Sequence, residues 1–109
     1  MDISVLQEHA LSLAGDITVV IQPGIYPPTM LVAERRIIVP PVTDIPTYLT
    51  TLHEIGHVVL GHTEDVRRSD IMKAERAAWD WAVDHALIVG EEGKIYIDWC
   101  LSTYARAVK

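Results

Sequence analysis

The sequence predicts a single α+β domain in which a small three-stranded antiparallel sheet packs beside three core helices. Three observations carry this. Four stretches repeat apolar residues at the spacing of a helix face, three short apolar runs lie between the first two of them, and Pro and Gly separate the runs. The length of 109 residues, read as one domain over 1–109, suffices for one hydrophobic core and not for two.

Taken in order, Ile3, Leu6, Ala10 and Leu13 mark a short amphipathic helix over 2–14, closed by Gly15. Ile17 to Ile21 is β-branched and bounded by turn residues, which predicts a strand. Residues 22–28, with three prolines and a glycine, form a loop. Met30 to Ala33 and Arg36 to Val39 read as two strands joined at Glu34-Arg35, completing an antiparallel meander. Pro40 and Pro41 end the sheet. Asp44 or Thr43 caps the next helix, and Pro46 is tolerated in its first turn, where its missing N–H has no helical partner. Leu49, Leu52, Ile55 and Val59 carry that helix over about 45–60 until Gly61. A polar link, His62 to Ser69, leads to a helix capped by Ser69 or Asp70, with Ile71, Ala74, Ala78, Ala82 and Leu87 on one face and Gly90 as its stop. Glu91-Glu92-Gly93 reads as a turn, and Ile97, Leu101, Tyr104 and Val108 place a last helix over 95–108.

Half of the residues are apolar and the net charge is −6, which argues against a nucleic-acid-binding face. A lone cysteine, Cys100, excludes an intramolecular disulfide and suits a reducing compartment. The first residues lack a basic segment followed by an apolar core, and no apolar run approaches membrane-spanning length. The expectation is a cytoplasmic protein with no direct nucleic-acid or membrane partner.

Residues 53–57, His-Glu-Ile-Gly-His, fit the H-E-x-x-H zinc-hydrolase pattern. Two histidines four apart share one helix face and can point at one Zn2+ ion, while Glu54 between them stands beside the metal-bound water as general base. A purely structural zinc has no use for that glutamate. Catalytic zinc takes three protein ligands, so a third is needed. The metzincin continuation is excluded because Leu60 and Thr63 occupy its glycine and histidine positions. On the following helix the candidates are Asp70, Glu75, Asp80, Asp84 and His85. Glu75 shares a face with Ala78 and Ala82, small residues that let two helices approach, whereas Asp80 and Asp84 fall on other faces with shorter arms. The alternative for Glu75 is a solvated helix glutamate paired with a neighbouring cation.

The run Glu75-Arg76-Ala77-Ala78-Trp79-Asp80-Trp81-Ala82 resembles the E-x-x-A-x-x-F-A signature of the ImmA/IrrE family of metallopeptidases, with Trp81 at the aromatic position. The approach through Arg36-Ile37-Ile38-Val39-Pro40 to His-Glu-Ile-Gly-His-Val-Val-Leu-Gly-His is similar to that family too, and the resemblance spans most of residues 15–90. It implies a gluzincin-type, zincin-like endopeptidase: zinc on His53, His57 and Glu75, water activated by Glu54. Family members often act in phages, mobile elements or stress responses by cleaving a transcriptional repressor, so the expected partner is a protein substrate such as a regulator. With a short C-terminal part and no visible sensor or DNA-binding segment, regulation would need a separate protein. The alternative is a metal-stabilised binding module that sequesters a regulator without cutting it.

Among the other residues, His62 could donate to the transition state or remain a solvated loop histidine. Tyr26, Tyr48, Tyr96 and Tyr104 are candidate oxyanion donors that the sequence does not rank. Trp79 and Trp81 read as packing residues, Cys100 as a small buried hydrophobe, and His9 and His85 as surface or satisfied residues. The strand Arg36 to Pro40 leads into the metal helix and would pair with an extended substrate if it lay at the sheet edge.

Overall fold

Seven elements follow one another in the computed structural model, which describes residues 2–25, 27–62 and 68–107. They are α1 (Ile3–Ala14), β1 (Thr18–Ile21), β2 (Thr29–Leu31), β3 (Arg36–Val39), α2 (Ile45–Val59), α3 (Arg68–His85) and α4 (Gly90–Ala107). Asp2 caps α1 by accepting the Ser4 N–H at 3.0 Å, and Gly15 leaves the helix at φ +58°. The fold is α+β, with four helices around one three-stranded sheet.

The sheet is mixed, which corrects the expected antiparallel meander. Its order is β1-β3-β2, with β2 antiparallel to β3 and β1 parallel to β3, Val19 opposite Ile37 and Met30 opposite Ile37 from the other side. The prolines at 23, 27 and 28 explain this: a segment with fixed φ and missing N–H groups cannot close a tight hairpin after β1. The chain crosses to the far edge, lays down β2, and returns through a turn in which the Leu31 and Val32 carbonyls accept the Glu34 and Arg35 N–H groups at 3.1 Å. Arg35 takes φ +48° there, and its guanidinium grips Asp16 in two hydrogen bonds of 2.8 and 3.1 Å that tie the turn to the start of β1. Because β3 is central, both of its edges are taken, and strand addition to Arg36–Val39 is excluded.

Helix α2 is the centre of the molecule, packing against α1, α3, α4, β2 and β3. Asp44 is its cap: its carboxylate accepts the Thr47 N–H at 2.9 Å while the Thr47 hydroxyl accepts the Asp44 N–H at 3.1 Å. Every residue from Tyr48 to Val58 is buried, so the helix is wrapped on all sides, and its polar residues must find partners inside. Two glycines set how closely its neighbours approach. A Cβ on Gly56 would meet the Ala78 carbonyl oxygen at 3.1 Å and Trp81 Cε3 at 3.2 Å, so α3 lies against α2 at this point. A Cβ on Gly93 would meet Leu49 Cδ1 at 2.8 Å. Gly93 is therefore a packing residue inside α4 and not the predicted turn; Glu91 and Glu92 occupy that helix's first turn, where negative charge suits the helix dipole. Helix α3 ends at His85, short of Gly90, and begins at Arg68, which puts Asp70 within its first turn. No helix among the described residues is long and apolar enough to cross a membrane.

Candidate metal centre

Helical periodicity puts His53 and His57 on one face of α2, and the close approach at Gly56 brings Glu75 of α3 to them. The Glu75 Oε2 lies 2.7 Å from His53 Nε2, its Oε1 lies 3.1 Å from His57 Nε2, and the two Nε2 atoms are 3.0 Å apart. All three residues are buried, and they are the one group of His, Cys, Asp or Glu side chains among the described residues close enough to share an ion. The other candidates, Asp70, Asp80, Asp84 and His85, are all exposed.

The donor set fits zinc. Tetrahedral coordination at Zn–N and Zn–O distances of ~2.0–2.1 Å separates donors by roughly 3.3 Å, so the three need part by only tenths of an ångström to admit an ion. Two imidazoles and one carboxylate are a donor set that catalytic zinc sites use.

The electrostatics also point to a cation. Burial opposes a charge on His53, but its hydrogen bonds to Glu54 and Glu75 and their negative charge outweigh this and raise its pKa from 6.5 to about 9. Burial likewise opposes ionisation of Glu75, and the bonds to His53 and His57 overcome it, lowering its pKa from 4.5 to about 2. At neutral pH the protein without metal therefore holds a protonated imidazole against a carboxylate, with a proton where a metal ion would bind.

Around the triad stand further residues. Glu54 Oε1 lies 3.3 Å from His53 Nδ1, on the opposite side of the ring from Glu75. Trp79 stacks face to face on His53, ring centroids 4.0 Å apart at 10°, and its buried indole N–H has no hydrogen-bond partner among the described residues, so shape and not polarity holds it there. His62 is folded back by the end of α2: Gly61, at φ +73°, donates to the Val58 carbonyl at 3.1 Å, and the His62 N–H reaches the His57 carbonyl at 2.9 Å. This reversal sets His62 Nδ1 2.9 Å from His57 Nδ1, behind the ring rather than over the triad. Neither the Trp79 stack nor the His62 contact was foreseen; the glycine-then-histidine pair after the helix was the available signal for the second.

A cleft runs to the same site, and His53, Glu54 and Cys100 are among its lining residues. Of the tyrosines proposed as donors, Tyr96 lines this cleft. Tyr48 is fully buried elsewhere, engaged by His9 and Leu87, while Tyr26 and the Tyr104 side chain lie outside the described residues. His9 is thus a satisfied, half-buried residue, and His85 is exposed and stacks on Trp81. Comparison with known proteins finds no match: no family model, no curated protein and no solved structure matches the chain.

Proposed function

We propose that the chain is a zinc-dependent endopeptidase of the H-E-x-x-H type, related to the ImmA/IrrE metallopeptidases, that cuts a protein substrate such as a transcriptional regulator inside the cell. The observation that carries this is the meeting of a buried His53–His57–Glu75 group with an open cleft that Glu54 also lines. Kinship rests on the two motifs, His53–His57 and Glu75–Ala82, and their juxtaposition through α2 and α3 supports it.

His53 and His57, through Nε2, and Glu75, through its carboxylate, would hold the ion. Bound there, zinc would supply Lewis acidity and lower the pKa of a water towards neutrality. Glu54 takes the proton of the attacking water on its carboxylate and passes it to the leaving amine. To do so its side chain must leave the contact with His53 Nδ1, 3.3 Å away, and turn to the Nε2 side of the ring, where the ion would be held. Tyr96, whose hydroxyl is 2.8 Å from that of Thr50, stands in the cleft as the donor to the developing oxyanion. Of the triad, His53 lines the cleft, which gives the site a route to solvent. That accessibility favours an enzyme over a metal-stabilised binding module, whose ion would be closed off.

The test is cleavage of unfolded protein by zinc-loaded material, read by mass spectrometry, beside the Glu54→Gln variant. Glu54→Gln should keep its zinc and lose roughly 10²–10⁴-fold in rate. Undiminished cleavage by that variant would refute the role of Glu54.

A further inference from the structure

The cleft beside the triad has a shape and chemistry of its own. Its volume is about 140 Å³, and Pro27, Pro28, Trp79, Tyr96 and Trp99 supply apolar surface to it, with Thr50 and Thr103 among the polar contributors. An apolar cavity of roughly 150 Å³ is large enough for one benzene ring, so the space matches a single large side chain and not a folded surface. Among the described residues no Lys or Arg lines it, and Glu54 does.

Trp99 makes the cleft more than a packing defect. It is 53% exposed on α4, and its ring stacks on Tyr96 one turn earlier, centroids 6.4 Å apart at 27°. A half-exposed Trp stacked at the mouth of a cleft offers a rigid apolar face at little entropic cost to an incoming group. Pro27 and Pro28, which also line it, precede β2, an edge strand of the sheet. Because His53 and Glu54 line the same space, an occupant lies next to the group that would activate water.

We propose that this cleft is a specificity subsite that takes one large apolar side chain, aromatic or long aliphatic, from the residue flanking the scissile bond, with Trp99 as its selecting wall. The preferred substrates are thus extended segments carrying such a residue, which a folded protein buries and an unfolded or partly opened one exposes. The word scissile rests on the peptidase function proposed above, and the test separates the two.

Zinc-loaded wild type and Trp99→Ala are titrated with the hydroxamates of N-acetylphenylalanine and N-acetylalanine, which share the chelating group and differ in the side chain. Burying the extra ring should make the phenylalanine compound bind about ten- to a hundredfold more tightly to wild type. Trp99→Ala should remove most of that ratio while keeping zinc content and circular dichroism, since Trp99 is neither a ligand nor buried. Equal affinities in wild type, including no binding of either compound, overturn the subsite, as does a ratio unchanged in Trp99→Ala. Side-chain discrimination without cleavage of any peptide would end the peptidase assignment and leave the subsite standing. Cleavage indifferent to side chain would do the reverse.

Discussion

Helix α2 carries two buried polar clusters, and they are built on opposite plans. Near its start, the Tyr48 hydroxyl lies 2.6 Å from His9 Nδ1 and accepts the Leu87 N–H at 3.0 Å, linking α1 and the α3–α4 connection to α2. The hydroxyl is engaged from both sides, Tyr48 is 0% exposed, and its burial raises the phenol pKa. Nothing is left over for a ligand. Two turns on, His53, His57 and Glu75 crowd three donor atoms into one point, with two imidazole nitrogens 3.0 Å apart. Two lone pairs cannot share that space without a proton or a cation between them. A polar cluster that closes on itself is a strut, and one that converges on a point beside a cleft is a candidate site; the histidine count alone does not separate the two.

That contrast can be broken or sharpened by substitution. The largest effect should come from Glu75→Ala, which removes one of three donors and should weaken zinc binding by at least ~100-fold, since changing even an outer-shell partner costs 10–100-fold; a competition titration with a chromophoric chelator reads this. An unchanged affinity would place the third donor elsewhere.

The pH response should be next, and it has two opposite signs. With His53 protonated up to about 9, zinc must displace a proton, so its apparent affinity should rise roughly tenfold per pH unit between 7 and 8.5. The metal-free protein responds in the other direction. The raised His53 pKa gives stability that is complete below 6.5 and is lost as pH rises through about 9. The lowered Glu75 pKa gives stability present above 4.5 and lost as pH falls towards about 2. Thermal melts in chelator should therefore be highest between these limits and fall between pH 7 and 9, while zinc-loaded protein gains. A chelator-treated protein whose melting is flat over that range would contradict the His53–Glu75 pairing.

Smaller effects test the periphery. His62→Ala should cost about tenfold in zinc affinity by freeing the His57 ring, with little change in melting temperature. Tyr48→Phe should do the opposite, costing ~1–3 kcal/mol of stability by leaving the Leu87 N–H unpaired, with zinc affinity untouched. A Tyr48→Phe variant that lost zinc would show the two clusters to be coupled.

Much of this was legible from residue spacing. The bounds of α2, its cap at Asp44 and its stop at Gly61 follow from local chemistry, and the His-Glu-Ile-Gly-His spacing puts both imidazoles on one face whatever surrounds them. Gly56 and the small residues Ala78 and Ala82 mark where α3 approaches, and Glu75 one turn before Ala78 is carried to the histidines by that contact. What was not legible depends on contacts between distant segments. Strand polarity was decided by where the proline-rich loop leads, which the runs on either side do not encode. Gly93 looked like a turn residue because a glycine needed for close packing is the same letter as one needed for a positive φ. The stacking of Trp79 on His53 joins residues 26 apart, and nothing local predicts it.

The central claim is that this triad binds one zinc ion in exchange for a proton. Calorimetric titration of metal-free protein at pH 7, in two buffers of different ionisation enthalpy, tests it most directly. The account predicts one zinc per chain, release of about one proton, and loss of binding when both His53 and His57 are replaced by Ala. No zinc bound by the wild type, or zinc bound as tightly by the doubly substituted chain, would contradict it.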